Sequence, residues 1–203
     1  MAGNKEKSNP IPSRGKRTGA KREAEAGRKG LENLLAKHGV TDFKWIDPKT
    51  IVVSRWVRMK CMFGCSEYGR TATCPPNVPS VEECREFFRD YKRAVIIHYE
   101  KTVAKPEDRH AWTRKTNLGL VELEREVFLS GCEKAFLLFM DSCTICAQCS
   151  GKRETCIEPR KARPTPEAMA VDVFTTVRKA GYPIKVLART DEPMNRYAFL
   201  LLD

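Results

Sequence analysis

No stretch of the 203-residue chain approaches the ~18 consecutive apolar residues that a membrane-spanning helix requires, so membrane insertion is not expected. The first thirty residues contain no apolar run either, so they read as neither a secretory nor a twin-arginine export signal, and a cytoplasmic location is expected. Histidine is scarce, with only His38, His98 and His110, and there is no glycine-rich phosphate loop and no nucleophile elbow. No catalytic set can be assembled from what remains. Paired zinc-ribbon spacing and interleaved basic and aromatic residues are also missing, which argues against nucleic acid as a partner.

What the chain does have is positive charge and cysteine. Of the formal charge of +11, more than half lies in residues 1–30, where nine basic side chains face three acidic ones. That segment has no aromatic residue and too little apolar surface to offset its ordering entropy, so a solvated, disordered basic tail is expected over residues 1–30. Residues 31–203 are expected to form a single cysteine-rich body that binds a metal or an iron–sulfur cluster.

Nine cysteines in a reducing compartment do not read as structural disulfides, and the number is odd. Seven fall into two tight groups, Cys61, Cys65, Cys74 and Cys143, Cys146, Cys149, Cys156. This is metal-ligand spacing. Cys143, Cys146 and Cys149 stand two residues apart, so a short loop can wrap three irons of a [4Fe–4S] cube. A zinc knuckle needs one such pair on each side of a tetrahedron and leaves the middle cysteine surplus. Cys156 follows after six residues and can serve either of two clusters. The first group supplies three thiols, and its fourth ligand is open between Cys156, Cys132, Cys84, His98 and a substrate at an exposed iron. Zinc in a closed site remains the alternative metal, and one cluster shared between the two groups the alternative arrangement.

The runs from Cys61 through Tyr68-Gly69-Arg70 to Cys74-Pro75-Pro76, and from Cys143 to Cys149, with Cys156 followed by Arg163-Pro164 and Glu167, resemble a widespread prokaryotic family. Its members are uncharacterised, predicted metal-binding proteins with a cysteine-rich domain of unknown function. The resemblance covers about residues 31–203 and implies metal or cluster binding through the seven grouped cysteines. It supplies no reaction.

Along the body, the pattern predicts a helix over Leu31–Lys37 and a strand over Ile51–Val57 running into Cys61. A helix opened by a Ser80–Glu83 capping box through Tyr91 and a strand over Ala94–His98 come next, then a long helix from Glu107 to Ser130 and a strand over Ala135–Met140. Thr165 and Pro166 are expected to open a helix to Lys179, followed by strands over Ile184–Ala188 and Tyr197–Leu202, the last returning antiparallel. Cys84 falls on the apolar face of its helix and reads as a core thiol, and Cys132 as packing under a turn.

The strand-helix-strand succession predicts an α/β fold with a mostly parallel mixed sheet flanked by helices, and brings the two cysteine loops together at its carboxyl edge. The Thr165 helix end would then favour the reduced state of a nearby cluster, and Arg160, Lys161 and Arg163 either act the same way or only solvate the loop. The expected function is electron transfer, or an accessory subunit of an anaerobic redox system, with one or two [4Fe–4S] clusters and a redox protein or larger enzyme complex as partner. Alternatives are a zinc protein that docks nucleic acid or protein, and an enzyme with an open-site cluster.

Overall fold

The computed structural model of the chain describes residues 16–189 and 191–203. These form four strands, β1 (Phe43–Ile46), β2 (Ala94–Lys101), β3 (Phe136–Leu138) and β4 (Met194–Leu201), and five helices, α1 (Lys16–Lys37), α2 (Arg55–Gly64), α3 (Val81–Arg89), α4 (Pro106–Leu129) and α5 (Val173–Lys179). The sheet runs β1-β2-β4-β3, and every neighbouring pair is antiparallel.

The expected mostly parallel sheet is therefore wrong. Strands β2 and β3 do point the same way, but β4 inserts between them, pairing its Leu200 with Val95 on one side and with Leu137 on the other. The order of elements along a chain sets strand direction through the connecting helix without saying which strands become neighbours. The unbroken apolar runs in β2 and β3 have another source, since both faces of the sheet are covered.

Side chains alternate across the sheet. Val95, Ile97, Leu137, Ala198 and Leu200 pack against Leu31 and Leu35 of α1 and Leu120, Leu123 and Val127 of α4. Ala94, Ile96, Leu138, Phe199 and Leu201 face the opposite way, towards Cys84 and Phe88 of α3 and Val173 and Val177 of α5. Burying each such Leu, Ile, Val or Phe side chain contributes about 1.5–3 kcal/mol. The capping box of α3 forms as expected, with Ser80 Oγ accepting from the Glu83 amide at 3.2 Å and Glu83 Oε2 from the Ser80 amide at 2.8 Å.

Four local expectations change. Between Ile51 and Val57 only Val53 pairs, in an isolated antiparallel bridge to Val171, and α2 begins at Arg55. Arg55, Arg58, Met59 and Lys60 are strong helix formers and prevail beyond that point. Cys61 thus sits on a helix and not at a strand end. The helix expected over 165–179 is confined to α5, because the chain turns through Ala170 at φ 59° and Asp172 supplies the cap. No strand forms over Ile184–Ala188, where the amides of Ala188 and Arg189 donate to Glu192 Oε1, each at 2.9 Å. Helix α1 starts at Lys16, so residues 16–30, assigned from composition to a disordered tail, are helical, and the rest of that expectation, residues 1–15, lies outside the described residues. Among the described residues no helix is long and apolar enough to cross a membrane.

Candidate metal centre

The first cysteine group is built on the end of α2. Cys61 lies in its last turn and Cys65 is the C-terminal cap, after which the chain turns tightly, with the Tyr68 amide donating to Cys65 O at 3.2 Å and the Cys74 amide to Thr71 O at 3.3 Å. Gly69 takes a φ of 72°, a conformation glycine adopts freely, and its amide reaches across to Pro75 O at 2.9 Å. Cys61, Cys65 and Cys74 line one cavity of about 130 Å³ whose other walls include Tyr68, Asp141, Thr165 and Glu167. Arg58, one turn before Cys61, braces this site: its Nη2 donates to Ala168 O and to Pro79 O, each at 3.0 Å.

The second group follows β3. Ile145 is buried in the core beneath α4, with Cys143 and Cys146 packed against the same cluster, and Arg114 Nε donates to Ile145 O at 3.1 Å. That anchor holds an otherwise irregular loop. Beyond it the chain returns to the sheet, where the Phe139 amide donates to Pro164 O at 2.9 Å.

The two loops are joined directly. The Ala72 amide donates to Cys149 Sγ at 3.3 Å, and Asn77 Nδ2 donates to both Thr71 O (3.0 Å) and Gly151 O (2.8 Å). Gly151 has a φ of 76°, and a Cβ there would stand 3.6 Å from Arg70 O. The expected neighbourhood of the groups is thus real, but its cause is not the carboxyl edge of a parallel sheet. Specific contacts between loops produce it.

Burial pushes the Cys61 thiol up, and Cys65 and Glu167 push the same way against Arg58. Burial also raises Cys74, opposed by the Thr71 hydroxyl and reinforced by Cys65 and Cys61. In the second group burial raises Cys143 against a hydrogen bond from the Ile145 amide, with Cys149, Cys146 and Cys156 adding repulsion. Desolvation, then Cys156, Glu158 and Cys149, raise Cys146. Cys61 and Cys74 in the first group and Cys143 and Cys146 in the second thus resist ionising, so a metal entering either group would displace their protons and neutralise the thiolates it leaves. Among the described residues no set of three or more Cys, His, Asp or Glu side chains stands close enough to hold a single metal ion.

The remaining candidates lie elsewhere. Cys84 is fully buried, with Sγ 3.5 Å from Pro79 O and 3.9 Å from Met169 Sδ. Cys132 packs against the α4 side of the core. His98 stacks on Tyr197 and is held between Asp42 Oδ2 (2.6 Å from Nδ1) and Asn195 Oδ1 (2.7 Å from Nε2). Arg163 is committed to Glu124, and no helix begins at Thr165 to direct a dipole at the second loop. Sequence reasoning missed Arg58, Asn77 and Asp141. Only Arg58 carried a legible signal, its spacing of three from Cys61 on one helix.

A family model described as "Predicted metal-binding protein (DUF2284)" matches residues 44–202, a span that includes every grouped cysteine. The chain belongs to this family. No curated protein and no solved structure matches it. The predicted metal-binding domain of this family is therefore the part of the chain that carries both loops.

Proposed function

We propose that this protein binds [4Fe–4S] clusters, one in each cysteine group, and serves as an electron-transfer protein or as the redox subunit of a larger enzyme complex. The observation that carries this reading is the gathering of Cys143, Cys146, Cys149 and Cys156 within one loop, with a backbone N–H already directed at Cys149 Sγ. Four thiols are the full ligand set of one cube, and an N–H···S bond stabilises the negative charge that such a cube accumulates. A bound cluster supplies one-electron chemistry. The chain's own residues hold it and tune it: Ile145 and the core under α4 keep water from one side, and the Ala72 amide favours the reduced state. Cys65 and Cys149 are exposed, which leaves each group a short route to a docked redox partner. Nothing in the site calls for nucleic acid.

Protein purified without oxygen is expected to be brown, with broad absorbance near ~400 nm and about four to eight irons per chain matched by sulfide. Colourless protein carrying zinc and no sulfide overturns the cluster reading in favour of the zinc alternative.

A further inference from the structure

We propose that the Glu167 carboxylate is the fourth ligand of the centre held by Cys61, Cys65 and Cys74, which closes that cube with one oxygen instead of leaving an iron open to substrate. This rests on the cluster reading above. Three thiolates occupy three corners of a cube, so the fourth must be met from the walls of the cavity they line. The sulfur and imidazole candidates are spent: Cys156 stands with Cys143 and Cys146, Cys84 with Met169, Cys132 against the core under α4, and His98 between Asp42 and Asn195.

Among the oxygen donors in the cavity, Asp141 is already held, with Arg109 Nε at 2.8 Å and Nη2 at 2.5 Å from Oδ2 and the Ser142 amide at 3.1 Å from Oδ1. Tyr68 and Thr165 are neutral hydroxyls, and Thr165 Oγ1 accepts from the Ala168 amide at 3.0 Å. Glu167 differs from all of these. It lines the same cavity, it is near enough to Cys61 for their charges to repel, and no cation pairs with it within 4 Å among the described residues. It is an exposed residue of the cavity wall and is not sealed into the core. A carboxylate that shares a cavity with three thiols and has no cation in direct contact is costly unless a metal neutralises the set.

Its position is also fixed. The Met169 amide donates to Thr165 O at 3.1 Å and the Ala170 amide to Glu167 O at 2.9 Å, while Arg58, on the helix that carries Cys61, holds Ala168 O.

The test compares the full chain with Glu167→Ala and the near-isosteric Glu167→Gln, all purified anaerobically, by iron and sulfide content and by electron paramagnetic resonance of the reduced proteins with and without added cyanide. The all-cysteine second cube has no exchangeable ligand and stays silent to cyanide. Both variants are expected to keep their iron and to show shifted g values at low cyanide, whereas the wild type, in which cyanide must first displace the carboxylate, is expected to need at least about tenfold more cyanide for the same shift. A wild-type spectrum that shifts at the same cyanide concentration as the variants means the iron is already open and overturns the proposal, as does silence in a variant that retains full iron. Should Glu167→Ala lose its iron by misfolding, Glu167→Gln preserves the shape and is read alone. Absence of iron and sulfide from every sample overturns the cluster reading itself, an outcome distinct from either cyanide result.

Discussion

At the scale of single residues, the ion pair between Arg163 and Glu124 shows how a charge that reads as functional can be structural. Arg163 Nη2 lies 2.8 Å from Glu124 Oε2, and the Glu124 side chain is 6% exposed. Glu124 Oε1 also accepts from the Leu137 amide at 2.9 Å, so one carboxylate on α4 ties the chain after Cys156 to the edge strand β3. Removing one partner of a buried pair strands the other charge, which costs about 3–5 kcal/mol. Arg163→Met is expected to lower unfolding stability in urea by that amount, and the double variant Arg163→Met with Glu124→Gln to recover part of it, because the glutamine still accepts from Leu137 and carries no charge. Equal stability of the single and double variants would show the pair to be inert. The sequence carries Arg163 as a basic residue near a cysteine, and proximity along the chain is the only information it offers. Cys84 was more legible, since helical spacing alone places it inward, and it is fully buried.

Among elements, those whose own residues mark both ends could be read and those defined by tertiary pairing could not. Helix α3 has its capping box, and α4 has Pro106 at its first turn and Gly131, at a φ of 103°, just beyond its end. The segment before α5 offered two competing starts. Thr165-Pro166 satisfies a helix-opening pattern, but Ala170 adopts a left-handed φ of 59°, a conformation worth about 1–2 kcal/mol of strain in a residue with a Cβ, which nothing in an alanine announces. Pairing around Val53 and Val171 compensates, with Ser54 donating to Ala170 O at 2.8 Å and Asp172 donating to Val52 O at 2.7 Å. The helix then begins at Val173, capped by Asp172, whose Oδ1 accepts from the Thr175 amide at 2.9 Å and Oδ2 from the Thr175 hydroxyl at 2.6 Å. Asp172→Ala is expected to cost about 1–2 kcal/mol, and Asp172→Asn, which keeps a capping oxygen, distinctly less. Thermal unfolding measures both, and an asparagine variant as unstable as the alanine one would mean that the charge and not the cap matters.

For the whole molecule, the parallel-sheet argument reached a correct neighbourhood by a wrong route, and the actual route suggests a test. Both cysteine groups are visible in the sequence as groups, because spacing is a local property of the chain. Their contact could not, because it runs through backbone groups, the Ala72 amide, Thr71 O and Gly151 O, which any sequence possesses. Asn77 is the side chain that converts those groups into a joint: its amide donates to Thr71 O in the first loop and Gly151 O in the second. If each loop held its metal independently, losing Asn77 would cost only two hydrogen bonds, about 1–3 kcal/mol of stability. If the loops preorganise each other, the loss spreads to metal retention at both, because outer residues that orient ligands contribute about tenfold or more to affinity, and metal affinity is also folding energy. Asn77→Ala is therefore expected to release metal to a chelator about tenfold faster than wild type, with every cysteine in place. Asn77→Asp keeps the size and loses both donors, so it should release metal as fast, and its matching behaviour would exclude a cavity effect. Release at the wild-type rate in both variants would make the two groups separate sites that merely adjoin, each organised by its own loop.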